Sequence, residues 1–528
     1  MTGEPLVDRP DETDVLIVGA GPTGLMAGAW CAKLGLDAVV VDGKDGPTRE
    51  SRALVLQSRS VEIYRQLGLA DAALERAVFV REGRPGVGSR TLGAVRLDRL
   101  GQGLTPFPGL HVLEQSANET LLSEHLAAAG RPVRWRHAFA GLTPRPDGRT
   151  EVLLDGPEGR RRILARYVIG ADGASSPVRH AVGIGFPGGT SPFTFYVLDG
   201  AGVTGVGDGV NLRVSASHLL LSFPMGTDEH GQRARLIGVL HSDETDGAFH
   251  LTGDLDAQKR ARSVLARVFG IGYAHANWFS TYRVHHRVAD AFRRGGVFLA
   301  GDAAHVHSPV GAQGMNTGLQ DAQNLVVTVA DVLTRRADAG TLDRYEAERR
   351  PVAQRLIHST DRVFATVTSA HPLARFLRTR VLPVVWPIAT RVVPRLPLGG
   401  RLFGYLAQLR IRYRMTPSTR PRSRTQRAIV NRALGRRLPW VPDARHAGPL
   451  SAGDGRGDNH EPLTDATWQL HAYGPAATAS AEALARHHRG RLGDLVVHRL
   501  AAAPRHGLPE GTALLVRPDG FVADIAFA

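Results

Sequence analysis

Residues 14–42 read DVLIVGAGPTGLMAGAWCAKLGLDAVVVD. The apolar run from Asp14 to Val18 predicts a buried strand, and the segment from Leu25 to Leu34 has the apolar spacing of a helix. Gly35 ends that helix, and a second apolar run ends at Asp42. Strand, glycine-rich turn, helix and strand in this order predict the βαβ unit that begins a dinucleotide-binding fold.

The residues of the turn have separate tasks in such a unit. Gly19 permits the sharp bend, Gly21 lets the backbone approach a pyrophosphate, and Gly24 lets the helix pack closely on the strand. The N-terminus of the helix offers N–H groups and partial positive charge to phosphates. Asp42 lies eighteen residues after Gly24, near the spacing of the carboxylate that binds ribose hydroxyls. The turn cannot distinguish FAD from NAD. Its candidate binding residues are Gly19, Gly21, Pro22, Thr23 and Gly24.

The composition limits the class of protein. At roughly 100–200 residues per domain, 528 residues predict two to four domains. Hydrophobic residues make up 43% and charged residues 22%, which excludes wholesale disorder. The single cysteine, Cys31, excludes a disulfide framework, a CxxC redox pair and a cysteine-built metal site. No uninterrupted run of about 18 apolar residues is present and the N-terminus is acidic, so we expect a cytoplasmic protein without a membrane span or signal peptide.

The net charge of +15 raises the question of nucleic-acid binding. Only Lys33, Lys44 and Lys259 are lysines, so 62 of the 65 basic residues are arginine. This bias is more typical of GC-rich coding than of a phosphate-binding face. Arginine is densest from Arg401 to Arg437, where the aromatic spacing of a strand-stacking surface is missing. We therefore expect no nucleic-acid partner, and we interpret this segment as a solvated face or a domain seam.

Two later segments carry further motifs. Residues 167–179 read YVIGADGASSPVR, a strand that ends in an Asp-Gly turn, and residues 297–316 read VFLAGDAAHVHSPVGAQGMN. Together with the first glycine motif, these segments resemble the class A flavoprotein monooxygenases of the aromatic hydroxylase type, which include polyketide and phenol hydroxylases. The three motifs occur in the family's order and spacing over about the first 360 residues. Residues 514–520, LLVRPDG, resemble the end of the thioredoxin-like third domain of the longer members.

The resemblance implies an α/β fold with a Rossmann-like FAD-binding domain, an antiparallel-sheet substrate domain and a C-terminal thioredoxin-like domain. The predicted boundaries are residues 1–184 and 285–365 for the FAD-binding domain, 185–284 for the substrate domain, 366–438 for a helical and basic connecting segment, and 439–528 for the C-terminal domain. The implied activity is hydroxylation of an aromatic, polycyclic polyketide-type substrate through a flavin C4a-hydroperoxide, with FAD, O2 and NADPH or NADH. We expect a monomer or a homodimer.

The resemblance also implies roles for individual residues at the cofactor. Asp302 would accept a hydrogen bond from a ribityl hydroxyl, and Asp172 would hold the Asp-Gly turn beside the pyrophosphate. Arg52 matches the family arginine near that pyrophosphate, and Gln115 matches a glutamine that contacts the flavin. The segment from Pro309 to Asn316 would bring backbone N–H groups to the N1–C2=O edge of the flavin. The candidate residues of this motif are Gly301, Pro309, Gly311, Gly314, Met315 and Asn316.

Several alternatives stay open at this point. Baeyer–Villiger oxidation or epoxidation on the same scaffold is one, because substrate pose rather than fold decides the outcome. A non-catalytic FAD-binding protein is another. A flavin halogenase is disfavoured, since the early lysines Lys33 and Lys44 lie within the βαβ unit and the Trp-x-Trp-x-Ile signature is missing. The sequence identifies no catalytic acid or base. The histidines near positions 285 and 305 have no carboxylate or cysteine at ligand spacing, so we expect no metal.

Overall fold

The computed structural model describes residues 10–49, 53–240, 254–307, 313–368, 371–392, 397–442 and 457–528. Over these ranges the chain forms an eight-stranded sheet, a nine-stranded sheet, a small three-stranded sheet and a four-stranded sheet near the C-terminus. The two large sheets contribute to the walls of one cavity. The mixed α/β class predicted from the sequence is confirmed.

The eight-stranded sheet places the three sequence motifs side by side. Its central strands run parallel, with Gly159–Gly170 between Val297–Leu299 and Asp11–Val18. Carboxyl ends of parallel strands meet at the same edge of a sheet, so the turns after Val18, Gly170 and Leu299 converge there. The strands of this sheet are Asp11–Val18, Ala38–Asp42, Arg134–Trp135, Ala138–Pro144, Thr150–Gly156, Gly159–Gly170, Arg293–Arg294 and Val297–Leu299.

The first helix, Pro22–Lys33, packs into the interior of this layer. Every side chain from Leu25 to Cys31 that has heavy atoms is fully buried. Gly28 faces the second strand, where a Cβ would lie 2.8 Å from Val40 Cγ2, so glycine permits the close helix–strand contact. Burial of Cys31 raises the pKa of its thiol to about 12.

The nine-stranded sheet has two different faces. On one, Phe195, Val197, Phe223 and Ile237 pack with residues of the short strand Val55–Leu56. On the other, the sheet is covered by the helix Asp254–Val264. The strands are Glu82–Val87, Arg90–Thr91, Val95–Arg96, Gly188–Ala201, Val210–Val214, Leu219–Asp228, Gly231–Leu240, His275–Val288 and His305–Val306. The three-stranded sheet consists of Val55–Leu56, Val78–Val80 and Leu110–Val112.

The C-terminal sheet contains Val496–Leu500, Gln469–Tyr473, Thr512–Val516 and Val522–Phe527 in that spatial order. Side chains alternate along Thr512–Val516. Leu514 and Val516 pack on the side of the helix Arg424–Ala433, whereas Ala513 and Leu515 pack on the side of the helix Thr478–Leu492. The period of two in a strand thus buries both faces of the sheet.

The remaining helices are Ser58–Gln66, Ala70–Glu75, Leu97–Leu100, Gln115–Ala128, Pro177–Ala181, Gly314–Leu333, Asp343–Thr368, Pro372–Phe376, Leu382–Val392 and Pro397–Leu406. Pro351 lies inside the single helix Asp343–Thr368. Just before this proline, Glu348 and Arg349 form buried ion pairs with Arg517 and Asp321. Among the described helices, none is long and apolar enough to cross a membrane.

A seam of buried charges joins the C-terminal sheet to the first layer. Arg517 Nη1 lies 2.6 Å from Glu348 Oε1 on the long helix, and Arg517 also pairs with Asp519. Arg437 Nη1 lies 3.0 Å from Glu62 Oε1. Burial by itself raises the pKa of Glu62, but the charges of Arg437, His460 and Arg59 outweigh burial, so the pKa is lowered. The charges are therefore compensated inside the protein.

We expect Arg517→Ala to destabilise the protein strongly, because it leaves the Glu348 and Asp519 carboxylates buried without their cation. Removing one partner of a buried ion pair costs about 3–5 kcal/mol. Arg489→Ala is the matched control, since Arg489 and Asp494 pair where both side chains are exposed, and such pairs contribute about 0–1 kcal/mol. Urea unfolding followed by tryptophan fluorescence compares the two variants. Equal losses would contradict the stabilising role of the seam.

Candidate active site

The converging strand ends open into a cavity of about 380 Å³ between the two large sheets. Seven of the predicted site residues line it: Gly21, Pro22, Thr23, Gln115, Asp302, Gly314 and Met315. Six others lie at the strand ends and helix starts around it without lining it: Gly19, Gly24, Asp42, Asp172, Gly301 and Asn316. Arg52, Pro309 and Gly311 lie outside the described residues.

The glycines of the first turn show three different environments. Gly19 has φ +105°, and a Cβ there would lie 2.4 Å from the carbonyl oxygen of Ala171. A Cβ on Gly24 would lie 1.8 Å from the carbonyl oxygen of Gly19. Gly21 has no described atom within 4 Å of a Cβ position and borders the cavity. The first two glycines therefore permit tight packing, and Gly21 leaves open space where a phosphate can approach the backbone.

Thr23 connects the first and third motifs. Its Oγ1 would be 2.4 Å from a Cβ on Gly301 and 2.2 Å from a Cβ on Gly318. The hydroxyl thus fills the space that both glycines leave, and it fixes the start of the first helix against the start of Gly314–Leu333. This contact holds both helix N-termini at the same cavity.

Asp42 is held by the backbone of the glycine turn. One carboxylate oxygen accepts a hydrogen bond from the N–H of Ala20 at 2.6 Å, and the other accepts from the N–H of Lys44 at 2.8 Å. A carboxylate has about four acceptor sites, so two remain for ribose hydroxyls. The side chain keeps 13% of its surface exposed, which leaves room for such contacts.

Glu119 is a supporting residue that the sequence analysis missed. Its buried carboxylate accepts hydrogen bonds from Gln115 Nε2 at 2.8 Å and from the N–H of Thr48 at 2.7 Å, and Lys44 Nζ lies 3.5 Å away. Glu119 therefore orients the amide of Gln115, which lines the cavity. The signal was present in the sequence, since positions 115 and 119 are neighbours on one helical face.

The carboxylate of Asp172, in the Asp-Gly turn, has one bonded and one unbonded oxygen among the described residues. Asp172 Oδ2 accepts a hydrogen bond from the N–H of Val178 at 3.0 Å and so caps the short helix Pro177–Ala181. Its Oδ1 is buried and has no partner among the described residues, and burial raises the pKa of this carboxyl. Arg179 donates to the carbonyl oxygens of Ala174 at 2.9 Å and Ala303 at 3.0 Å. That arginine ties the second motif to the third.

The turn Gly301–Ala303 presents Asp302, an exposed residue that lines the cavity. Behind the turn, Asp321 Oδ2 accepts a hydrogen bond from the N–H of Gly301 at 3.2 Å and lies 2.7 Å from His305 Nε2. Arg349 Nε lies 2.6 Å from the other carboxylate oxygen. Burial acts to raise the pKa of Asp321, but Arg349 and His305 outweigh it and lower the value to about 2.

The side chain of Asn316 forms hydrogen bonds with the backbone of residues 55 and 57. Its amide Nδ2 donates to the carbonyl oxygen of Val55 at 2.8 Å, and its Oδ1 accepts from the N–H of Gln57 at 2.9 Å. Gly314 and Met315, the two residues before it, line the cavity. The side chain of Asn316 therefore anchors the helix Gly314–Leu333 so that the start of this helix faces the cavity.

The wall opposite the motifs is largely apolar. It consists of Phe223, Ile237, Tyr282 and Val284 from the nine-stranded sheet, and Leu54 and Val55 continue it. His285 stands at the polar end of this wall, where its Nδ1 lies 2.9 Å from Thr190 Oγ1. A cavity with one face that carries backbone donors and the Asp302 carboxylate, and one apolar face, suits a planar aromatic ligand stacked beside a cofactor.

Comparison with known proteins decides the family. Residues 12–360 match the sequence profile of the family described as FAD binding domain. The chain belongs to this family. It is similar to 6-methylpretetramide 4-monooxygenase of Streptomyces rimosus, with 31% identity over 97% of this chain and 91% of the relative. It is also similar to a rifampicin monooxygenase of Streptomyces venezuelae, with 35% identity over 66% of this chain and 70% of that protein.

Solved structures of family members give the same result. The OxyS anhydrotetracycline hydroxylase from Streptomyces rimosus superposes with a TM-score of 0.73 at 28% identity, over 98% of this chain and 96% of that one. Aklavinone-11 hydroxylase in a ternary complex with FAD and aklavinone superposes with a TM-score of 0.76 at 26% identity, again over 98% and 96%. The prediction of a FAD-dependent monooxygenase of the aromatic hydroxylase type is confirmed, and the Baeyer–Villiger or epoxidising alternative is not favoured.

The residues of the cavity fit FAD. Gly21 leaves an open approach to the first helix, and Asp302 presents a carboxylate to the same space. The unpartnered oxygen of Asp172 lies in the turn whose neighbours Ala171 and Gly173 line the cavity. These observations match a dinucleotide that needs backbone donors at its phosphates and acceptors at its hydroxyl groups.

We expect Asp302→Ala to weaken FAD binding while the fold is retained. A hydrogen bond to a charged partner contributes about 1.5–3 kcal/mol, so the dissociation constant rises at least tenfold. Asp302→Asn is the milder variant, because it keeps an acceptor and removes the charge. Asp155→Ala, at an exposed carboxylate on a distant hairpin, is the control. Equilibrium dialysis of FAD measures all three, and an unchanged constant for Asp302→Ala would show that this side chain only shapes the turn.

For Asp321→Asn we expect a pH-dependent loss of stability. A carboxyl whose folded pKa is depressed stabilises the folded state above its unfolded pKa of about 3.9 and loses that contribution as the pH falls through about 2. The pH-dependent part of the difference in unfolding free energy between variant and wild type is therefore about 2–3 kcal/mol, present at neutral pH and lost between about pH 5 and pH 2. Urea titrations at a series of pH values measure it. A gap that is constant with pH would contradict the charged Asp321–Arg349 contact.

Proposed function

We propose that this protein hydroxylates a polycyclic aromatic substrate of the polyketide type, with FAD as cofactor, O2 as oxygen donor and NADPH or NADH as reductant. The single observation that carries the proposal is the two-faced cavity of about 380 Å³. Its apolar wall at Phe223, Ile237 and Tyr282 faces the turn that presents Asp302. By their names, the relatives reported above act on 6-methylpretetramide, rifampicin and anhydrotetracycline, which supports a polyketide-type substrate here.

We further propose the residues that hold the cofactor. The N–H groups at the start of the helix Pro22–Lys33 lack partners within the helix and would bind the pyrophosphate beside Gly21. Asp42 would bind the adenosine ribose, and Asp302 a ribityl hydroxyl. Arg52 is proposed at the pyrophosphate from the motif alone, as are Pro309 and Gly311 at the flavin edge. The bound FAD would supply electron transfer from the reductant and the activation of O2.

The chain itself contributes placement, electrostatics and exclusion of water. The start of the helix Gly314–Leu333 carries partial positive charge, which favours negative charge on a group bound there. Gln115 is oriented by Glu119 and can donate or accept a hydrogen bond in the cavity. The apolar wall with Phe223 and Val284 excludes water from the face of the substrate. We assign no acid or base, because the position of the substrate hydroxyls decides which side chain they meet.

The domain division is part of the same proposal. Strands of the eight-stranded sheet come from residues 11–170 and again from 293–299, which supports a FAD-binding domain of residues 1–184 and 285–365. Most strands of the nine-stranded sheet lie between Gly188 and Val288, which supports a substrate domain of residues 185–284. Residues 82–96 add three strands to that sheet. The helix Thr478–Leu492 on one face of the four-stranded sheet supports the thioredoxin-like assignment of residues 439–528, and the helix Arg424–Ala433 of the connecting segment covers the other face.

The purified protein should contain FAD rather than FMN, and it should incorporate one oxygen atom from O2 into an aromatic polyketide. The test uses isotopically labelled O2 with NADPH and a panel of tetracyclic and anthracyclic phenols, and mass spectrometry reads the products. Omission of NADPH is the control, since no hydroxylation is expected without a reductant. Oxidation of NADPH without labelled product from any member of the panel would count against hydroxylation of this class. Release of FMN alone would overturn the cofactor assignment.

A further inference from the structure

A second cavity, of about 490 Å³, adjoins the first one at Gln313, which lines both. It lies between the helix Asp343–Thr368 and residues 405–412, and Arg436 closes one side. We call it the arginine pocket. Its defining residues are Arg355, Arg410, Arg412 and Arg436, with Val352, Leu356, Tyr405 and Ile411 as apolar lining.

The charge in the arginine pocket is uncompensated. None of the described residues that line it is Asp or Glu. Arg355, Arg410 and Arg412 are exposed and Arg436 is half-buried. They differ in this from Arg235 and Arg349, which are buried and pair with the carboxylates of Asp199 and Asp321. Between residues 362 and 442 the sequence contains seventeen arginines and no acidic residue, so the segment that forms most of the pocket supplies no counter-charge.

The arginines are held close together by the backbone. Arg412 and Arg436 pair in an isolated antiparallel bridge. The pKa of Arg436 is lowered, first by burial and then by the positive charges of Arg412 and Arg410. Like charges that the fold brings together repel one another, and a bound polyanion relieves that repulsion. Guanidinium groups bind phosphate oxygens through paired hydrogen bonds, so phosphate is the anion that this set recognises.

The position of the pocket indicates which phosphate compound enters it. The pyrophosphate of FAD is already assigned to the first cavity at Gly21, and the aromatic substrate has an apolar site there. The reductant also carries a pyrophosphate, and it must approach the flavin. Gln313, at the start of the helix beside the flavin site, is shared by both cavities. Tyr405 is 47% exposed and offers a ring on which a base can stack.

We propose that the arginine pocket binds the phosphate groups of NADPH, the reductant of the hydroxylation. This inference rests on the proposed function, because it assigns a site to a reactant of that reaction. Four guanidinium groups can pair with the pyrophosphate and the 2′-phosphate of NADPH together. The 2′-phosphate contributes about 1.5 to 2 of the negative charges. NADH lacks that third phosphate, so the pocket selects NADPH.

The test compares two double variants that remove equal charge from the same basic segment. Arg410→Gln with Arg412→Gln changes the pocket, and glutamine keeps the Cγ that packs near Gly404. Arg420→Gln with Arg424→Gln is the control, since both residues are exposed and lie outside the pocket. Calorimetric titration of the FAD-loaded protein with NADP+ gives the dissociation constant without turnover. Melting temperatures within the range of the control establish that the fold is retained.

We expect the pocket variant to bind NADP+ at least tenfold more weakly than the wild type, and the control less than twofold more weakly. The wild type should prefer NADP+ to NAD+, inorganic pyrophosphate should compete with NADP+, and the pocket variant should lose the preference. An unchanged constant, an equal loss in the control, or no NADP+ binding by the wild type would overturn the proposal. A selective rise in the KM of the aromatic substrate would also overturn it. Failure of hydroxylation with intact, arginine-dependent NADP+ binding would refute the proposed function alone.

Discussion

The close approach of backbone segments at the carboxyl ends of three parallel strands is the constraint on which the structure depends. The strand that ends at Val18 can lie beside the one that ends at Gly170 only if residue 19 has no Cβ, because Ala171 O occupies that space. Gly301 and Gly318 make room for Thr23 in the same way. Three stretches of chain that are more than a hundred residues apart in sequence therefore come into contact, and the cavity lies beside their turns.

A second level of organisation consists of buried arginine–carboxylate pairs. Asp321 receives Arg349 from the next helix, and the adjacent Glu348 receives Arg517 from the C-terminal sheet. The turn that presents Asp302 is thus connected, through one pair of neighbouring residues, to a sheet at the other end of the chain. A buried carboxylate without its cation is costly, so each of these layers needs the next to remain in place. The C-terminal unit supports the site without touching it.

The parts that could be predicted from the sequence are those in which neighbouring residues carry the information. The glycine turn with Asp42, the Asp-Gly turn and the Gly301–Asn316 segment each combine a strand end with turn residues, and their elements lie where the patterns placed them. Asp321 was missed because its partners lie on other elements, whereas Glu119 is four residues from Gln115 on the same helix and could have been found from that spacing. Asp321 still left a trace, since it is the only acidic residue between Asp302 and Asp331. The cap that Asp172 forms at the N–H of Val178 depends on where the short helix begins, which the residues of the turn do not specify.

The arginine-rich segment is a second case in which the sequence alone could not predict how residues come together. Its density of positive charge was visible in the sequence, but the pairing of Arg412 with Arg436 brings together residues that no local pattern relates. Composition reports how much charge a segment carries, and topology decides whether that charge is dispersed in solvent or concentrated around a cavity.

The burial of Cys31 has a consequence for a protein that handles dioxygen. With its pKa raised to about 12, the only thiol of the chain is almost entirely protonated at neutral pH, and its position inside the first helix keeps oxidants away. Peroxide that escapes from the active site therefore meets no reactive cysteine. The thioether of Met315 is the sulfur among the described residues that line the cavity. Damage by peroxide released from the active site should therefore begin as methionine sulfoxide at Met315, not as disulfide cross-links between chains.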